Sequence, residues 1–258
     1  MFESDVHAYL RAAAGDGAVR VPPFLARLDE HDDGLFFNYA VPDDGARPTS
    51  RDVANLITAF EDRRRTPRLE YLPAAAPGVE AALLAAGFRP ERRLPILTCA
   101  QAPPMPAVDD PVEVVKAAND ALLWQVARVQ SEAYGMPEAT EHDVARLRRV
   151  VERGGLVALA VDAASGDGVG AGQFGPPHRG VSELAGVGVR ASHRRRGIAA
   201  AVTAWLTREA LAGGITTPFL MPDNDGAERI YRRAGYARVA EILHISRQSP
   251  LRRVCAPR

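Results

Sequence analysis

Two short segments in the C-terminal half of the chain combine residue types that could carry out chemistry. The first is the basic loop Arg194-Arg195-Arg196-Gly197, which follows the apolar run Val187-Gly188-Val189 and leads into Ile198, Ala199 and Ala200. A strand that runs into a basic, glycine-bearing loop and then into a helix presents free backbone N–H groups to an anion. The pattern therefore predicts a pyrophosphate-binding loop, and the alternative is a solvated basic run beside an ordinary helix start.

The second segment is a predicted helix that begins at Asn224. Tyr231 lies two turns into this helix, where its phenol could give or take a proton. Its spacing with Ala227, Ile230 and Ala234 is also typical of the buried face of a helix, so packing alone is the alternative for this ring. Asn224 is by default a helix N-cap.

The hydrophobic pattern downstream of residue 111 predicts the scaffold that positions these segments. Asn119 is the predicted N-cap of a first helix, and a second helix is predicted from Glu141 to Val151. The predicted order is strand, two helices, three strands, helix, strand, helix, strand, which is a mixed α/β sheet with one central βαβ unit. The predicted strands are Val112 to Val115, Leu156 to Val161, Gly168 to Phe174, Val181 to Val189, Ile215 to Met221 and Val239 to Ile245.

The first hundred residues repeat part of this order. A strand-like run from residue 35 to 41, a capping box at Thr49 and Asp52, a strand at 68–72, a helix at 79–86 and a strand at 94–99 follow one another. The pair Gly87-Phe88 corresponds to Gly235-Tyr236, an offset of 235 − 87 = 148 residues. The sequence therefore predicts a diverged tandem repeat, with a domain at 1–101, a proline-rich linker at 102–110, a second domain at 111–247 and a tail at 248–258. With only two copies, a generic strand–helix–strand order is the alternative.

Composition limits the partners and cofactors. The 258 residues include 32 Lys+Arg and 32 Asp+Glu, so no long-range field favours nucleic acid or an anionic membrane. Lys116, the single lysine, lies outside any Gly-Lys-Ser/Thr sequence and excludes a Walker A loop. Cys99, Cys255 and six scattered histidines lack metal-ligand spacing, so no metal is expected. With neither a signal peptide nor a transmembrane run recognised, the predicted location is the cytoplasm.

The joint pattern Val187-x-Val189, Arg194-x-x-Gly197-x-Ala199 and Asn224-x-x-Ala227-x-x-x-Tyr231-x-x-x-Gly235-Tyr236 resembles the acetyl-CoA signature of the GNAT acyltransferase superfamily. The resemblance covers about Asp110 to Arg247 and implies two GNAT-like mixed sheets flanked by helices. It implies that acetyl-CoA is the cosubstrate, that the strand contacts pantetheine through its backbone, and that the loop binds the pyrophosphate. The implied cofactor-binding residues are Val187, Gly188, Val189, Arg194, Arg195, Arg196, Gly197, Ile198, Ala199, Ala200 and Asn224.

The same resemblance assigns two catalytic roles. Tyr231 is implied to protonate the departing CoA thiolate. Glu183 lies six residues before Val189, where some members of the family carry a catalytic glutamate. Strand alternation places Glu183, Ala185, Val187 and Val189 on one face, although the bulge typical of this strand in the family would break that alternation. A surface carboxylate is the alternative role for Glu183.

The N-terminal copy lacks the corresponding groups. Ala76 and Leu83 occupy the positions equivalent to Asn224 and Tyr231, and the acidic loop at 43–48 has no Arg-x-x-Gly-x-Ala. We therefore expect this half to bind no CoA. The predicted activity is transfer of acetyl from acetyl-CoA to a primary amine of an unidentified acceptor, in our interpretation a small molecule. A non-catalytic acyl-CoA sensor or interaction module, and transfer of a larger acyl or aminoacyl group, are the alternatives, and the oligomeric state is open.

Overall fold

The computed structural model describes residues 2–15, 17–108 and 111–247, and the predicted tail at 248–258 lies outside the described residues. The helices are α1 (Phe2–Ala13), α2 (Ser50–Glu61), α3 (Val79–Ala85), α4 (Asp120–Tyr134), α5 (Glu141–Glu152), α6 (Ile198–Ala212) and α7 (Asp225–Arg233). The strands are β1 (Val19–Val21), β2 (Phe24–Arg27), β3 (Tyr39–Pro42), β4 (Arg68–Tyr71), β5 (Arg89–Thr98), β6 (Val112–Lys116), β7 (Leu156–Asp162), β8 (Gly168–Phe174), β9 (Val181–Val189), β10 (Thr217–Leu220) and β11 (Ala237–Ser246). No helix among the described residues is both long and apolar enough to cross a membrane.

The chain divides into two compact units. Unit 1 comprises the residues up to 95 and those from 240 onward, and unit 2 comprises Ile96–Val239. The sheet of unit 1 has the order β1-β2-β3-β4-β11, in which β3 and β4 are parallel and β11 is antiparallel to β4. The capping box predicted at Thr49 and Asp52 begins α2. The apolar face of α2 packs on this sheet through Val53, Leu56 and Phe60, which are fully buried.

The sheet of unit 2 has the order β5-β10-β9-β8-β7-β6 and carries helices on both faces. Successive residues of β7 point to opposite faces, so Ala158 and Ala160 contact the cluster around α6 whereas Val157 and Leu159 contact the cluster around α4 and α5. The only parallel pair in this sheet, among the described strands, is β9 with β10, which are joined by α6. The mixed α/β class predicted from the sequence is confirmed.

The third strand of each βαβ arrangement comes from a distant part of the chain. In unit 1 the strand beside β4 is β11, with Leu243 opposite Tyr71, and in unit 2 the strand beside β10 is the end of β5, with Leu97 opposite Leu220. The sequence predicts that each half ends with its own strand and that the boundary lies at residues 102–110. The division instead falls inside β5 and β11, because a strand–helix–strand pattern is local and does not specify which sheet edge the last strand joins.

The proline-rich segment has no regular secondary structure from 102 to 108, as predicted, but it is held against unit 2. Pro103 is buried, and its carbonyl accepts a hydrogen bond of 3.2 Å from the Arg208 guanidinium of α6. Val108 packs against the same apolar cluster as Ile198. The described part of this segment is therefore a component of unit 2 rather than a detached linker.

Candidate active site

The two parallel strands of unit 2 separate partway along their length. β10 is in register with β9 only from Val181 to Glu183, whereas β9 continues to Val189. Beyond Glu183, β9 therefore has an open edge on the side away from β8. Such an edge leaves backbone N–H and C=O groups available to another chain or to an extended ligand that contains amides. Glu183 lies at the point where the fork begins.

A bulge at Gly186 changes which residues of β9 share a face. The β8–β9 register shifts between Gln173, opposite Ala185, and Ala171, opposite Gly188, and Gly186 has a φ of +63°. Leu184, Val187 and Val189 consequently pack against one cluster, around α6. The bulge that the family resemblance implied is therefore present and breaks strict alternation, since Glu183 and Ala185 lie on the face opposite Leu184, Val187 and Val189.

The backbone of Val187 and Val189 faces the open edge. Arg190 donates its backbone N–H to the Val169 carbonyl of β8 at 2.9 Å. Because backbone groups alternate in direction along a strand, those of Gly188 also point toward β8, whereas those of Val187 and Val189 point away from it. Both exposed carbonyls accept hydrogen bonds from side chains. The Tyr134 hydroxyl donates to the Val187 carbonyl at 3.0 Å, and the Arg194 guanidinium donates to the Val189 carbonyl at 3.3 Å.

The predicted anion-binding loop lies between the end of β9 and the start of α6. A 3-10 turn (Ala191–His193) leads into Arg194, Arg195 has a φ of +66°, and Gly197 is the N-cap of α6 with a φ of +83°. The first intrahelical bond runs from Ala201 to the Gly197 carbonyl, so the N–H groups of Ile198, Ala199 and Ala200 have no intrahelical acceptor. With residues 194–197 exposed, the loop presents positive charge and a helix N-terminus to solvent.

The fold itself requires a glycine at position 197. A Cβ at this position would approach the Ala107 carbonyl to 2.9 Å, and the positive φ disfavours any other residue. Gly188 has a similar steric role, because a Cβ there would lie 2.7 Å from the Ala133 Cβ of α4. Glycine at these positions lets the proline-rich segment and α4 approach the loop and β9 closely.

Arg194 has a structural partner in this state. Besides Val189, its guanidinium donates to the Ala133 carbonyl at 3.3 Å, which is among the last four carbonyls of α4. Arg190 pairs with Glu132 of the same helix at 3.3 Å. The loop is thus tied to the C-terminal end of α4, and Arg195 and Arg196 are exposed beside the helix start.

The helix that carries Tyr231 begins as predicted. Asn224 is its N-cap, and the Asn224 side chain accepts a hydrogen bond of 3.0 Å from the Ala227 N–H. Tyr231 is half-buried and packs against the cluster around α6, with its ring centroid 6.3 Å from that of Tyr236. The capping role and the packing role are therefore both realised in the structure.

Burial raises the pKa of Tyr231, and the nearby Tyr134 phenol and Asp223 carboxylate raise it further. Desolvation of its hydroxyl raises the pKa of Tyr134 as well, with a contribution from Asp223, although 54% of the residue's surface is exposed. Both phenols consequently keep their protons at neutral pH and can act as hydrogen-bond donors or acids. Of this group the sequence indicated only Tyr231. The only signal for Tyr134 in the sequence was its position at the end of the helix predicted after Asn119.

Histidine and carboxylate groups do not assemble a metal site. Within residues 2–15, 17–108 and 111–247, no three His, Cys, Asp or Glu side chains converge in a way that could hold a metal ion. His193, beside the loop, bonds to the Ser192 hydroxyl at 2.9 Å and faces Asp162 at 3.7 Å.

Residues 123–236 match the model of the acetyltransferase (GNAT) family. A solved GCN5-related N-acetyltransferase from Kribbella flavida is similar over 96% of this chain and 96% of its own, with 25% identity and a TM-score of 0.78. A GCN5-related N-acetyltransferase from Sphaerobacter thermophilus shares the fold at 20% identity, over 87% of this chain and 76% of its own, with a TM-score of 0.65. A tandem GNAT protein from the clavulanic acid biosynthesis pathway shares it at 17% identity, over 81% and 77%, with a TM-score of 0.61. No curated protein sequence matches significantly.

Proposed function

Since residues 123–236 form a domain of the acetyltransferase (GNAT) family, we propose that the protein is an N-acyltransferase that moves an acetyl group from acetyl-CoA to a primary amine. The observation that carries this proposal is the open edge of β9, which runs from the anion-binding loop to the fork between β9 and β10. An extended ligand with a charged end and an amide arm fits such a path.

Each part of acetyl-CoA has a complementary surface in this arrangement. The pyrophosphate would accept hydrogen bonds from the N–H groups of Ile198, Ala199 and Ala200, with Arg195 and Arg196 adding positive charge. The pantetheine arm contains two amides, and these would pair with the backbone of Val187 and Val189. The thioester would then lie toward the fork, where Glu183 begins the opening.

The proposed reaction forms a C–N bond and breaks a C–S bond. The neutral amine attacks the thioester carbonyl, and a backbone N–H of the Val187 to Val189 strand stabilises the oxyanion. The proton lost by the amine passes to Glu183 or to a water beside it. Tyr231, whose raised pKa keeps it protonated, donates its proton to the departing thiolate. Free CoA and an N-acetylated amine are the products.

The test is release of free CoA from acetyl-CoA in the presence of a broad panel of primary amines. Amine-dependent release, with the acetylated product detected by mass spectrometry, supports the transferase. Stoichiometric binding of acetyl-CoA without release for any amine would contradict catalysis and identify a non-catalytic acyl-CoA-binding module.

The anion-binding loop yields the first prediction. Gly197→Ala should weaken CoA binding by about tenfold or more, because a side chain at positive φ shifts the aligned N–H groups that bind the pyrophosphate. Gly166→Ala is the matched control, since Gly166 also has a positive φ, +76°, but its Cβ would meet nothing within 4 Å. Titration calorimetry on both folded variants is the measurement. Equal CoA affinities in the two variants would rule out the assignment of the loop.

In unit 1 the places that correspond to the open edge are filled by the N-terminal helix. The buried His7 accepts the N–H of Leu72 at 2.8 Å, and Arg11 donates to the Pro42 carbonyl at 2.9 Å. Both side chains also bond to Asp44, at 3.0 and 2.9 Å. Side chains of α1 thus satisfy backbone groups at the ends of both β3 and β4.

We therefore expect one CoA site per chain, in unit 2. Titration calorimetry or native mass spectrometry should give a stoichiometry of one CoA per protein molecule, and Gly197→Ala should weaken that single event. A second binding event that persists in the Gly197→Ala variant would show that unit 1 also binds CoA.

A further inference from the structure

We propose that the Tyr134 hydroxyl occupies the position on the β9 edge that a pantetheine amide takes, so that CoA binding displaces this side chain. The inference rests on the proposed function. Tyr134 would then compete with the cosubstrate for the Val187 carbonyl. The sequence patterns above assign this residue no role.

The geometry places Tyr134 across the open edge. It is the last residue of α4, and Gly135 ends the helix in the left-handed conformation with a φ of 65°. One ring carbon lies 3.7 Å from where a Cβ at Gly188 would be, and the hydroxyl reaches the Val187 carbonyl at 3.0 Å. The aromatic ring thus lies over Gly188 and would overlap a chain that pairs with this edge.

Gln130, one turn earlier on α4, also donates a hydrogen bond to a backbone carbonyl of β9. Its amide donates to the Gly186 carbonyl at 3.0 Å, at the bulge itself. Gln130 is partly buried, whereas 54% of the Tyr134 surface is exposed. The glutamine contact therefore holds the bulge, and the tyrosine contact lies where a ligand can replace it with little rearrangement of the protein.

Displacement is energetically accessible because one donor replaces another. The Val187 carbonyl exchanges a phenol for an amide N–H, and the released hydroxyl is free to bond to water. The Val189 carbonyl, held by Arg194 at 3.3 Å, can undergo the same exchange.

The experiment compares two ligands and three proteins. The ligands are CoA and adenosine 3′-phosphate 5′-diphosphate, which has the phosphates but no pantetheine arm. The proteins are the wild type, Tyr134→Phe and the same-helix control Gln130→Leu. Phenylalanine retains the ring and removes the hydroxyl, so binding of CoA should tighten by about two- to tenfold. Binding of the truncated nucleotide should not change, and Gln130→Leu should not tighten CoA binding. In turnover, the KM for acetyl-CoA should fall without a rise in kcat.

Distinct outcomes would overturn the inference and the proposed function. Unchanged or weaker CoA binding by Tyr134→Phe would show that the hydroxyl is not displaced. If Tyr134→Phe bound both ligands more tightly to the same extent, or if Gln130→Leu bound CoA as tightly as Tyr134→Phe does, the effect would reflect a general loosening of the site. Wild-type protein that binds neither ligand would instead overturn the proposed function, and the inference with it.

Discussion

Tyr231→Phe is expected to lower kcat by about 10²- to 10⁴-fold while leaving the affinity for CoA within about twofold of the wild type. The physical reason is that a thiolate leaves readily only if an acid is positioned to protonate it. Phenylalanine preserves the half-buried ring against the cluster around α6 and removes only the hydroxyl. Steady-state kinetics with saturating amine, together with calorimetric titration of CoA, measure the two quantities separately.

The neighbouring Tyr236 provides the control. Its ring is buried, lies 6.3 Å from that of Tyr231, and shares a hydrogen bond of 2.7 Å with the Thr207 hydroxyl. Tyr236→Phe should therefore lower the free energy of unfolding by about 1 kcal/mol without the large fall in kcat. If Tyr231→Phe lost stability but kept full turnover, its hydroxyl would be structural.

The pH dependence of kcat/KM tests whether Tyr231 acts in its protonated form. Because the pKa of Tyr231 is raised above its ordinary value, the protonated form that the mechanism needs persists through pH 10. We expect kcat/KM to rise with pH as the amine acceptor loses its proton, and to show no decline below pH 10. A decline centred below pH 10 that disappears in Tyr231→Phe would contradict the raised pKa.

Features governed by neighbouring residues were predicted from the sequence. The N-cap roles of Asn119 and Asn224 and the strand bounds Gly168–Phe174 and Val181–Val189 agree with the structure. The helix start at Gly197 agrees too, since the glycine lies directly before the apolar helical run. These features depend on a few adjacent residues, which is why a single sequence reveals them.

Features that depend on distant packing were missed. The exchange of β5 and β11 is decided by which sheet edge each strand meets, and neither strand carries a local mark of that choice. A bulge in β9 was implied by the family resemblance, but its position was not, since Gly186 is one glycine among the 22 in the chain. Tyr134 reaches the site only because α4 packs closely on Gly188. In each case the determining contact joins residues far apart in sequence.

A buried ionic cluster in unit 1 was also missed, and it supports the second large prediction. The Arg68 side chain is 2% exposed and donates to Glu91 at 3.0 Å, to the Leu35 carbonyl at 3.1 Å and to Glu70. It also bonds to the His244 Nδ1 at 3.0 Å, so Nδ1 is the acceptor and the proton of the neutral ring is on Nε2. Burial lowers the pKa of His244, so Arg68 is the cation that balances the two carboxylates.

Arg68→Met should therefore lower the free energy of unfolding by about 3–5 kcal/mol, because it leaves the buried Glu70 and the partly buried Glu91 without a counter-charge. Denaturant unfolding measures this loss. The double variant Arg68→Met with Glu70→Gln should recover part of it, since the amide removes one buried charge. If the double variant were no more stable than Arg68→Met, the uncompensated charge would not be the cause.

Arg93→Met is the matched control for Arg68→Met. Arg93 also contacts two carboxylates, Glu80 at 2.6 Å and Glu241 at 3.1 Å, but its side chain is 41% exposed. Water and salt screen such pairs, so this substitution should cost less than about 1 kcal/mol. The contrast isolates burial as the variable, because both arginines have two acidic partners. Equal losses from the two substitutions would show that the Arg68 cluster contributes no more than an exposed ion pair.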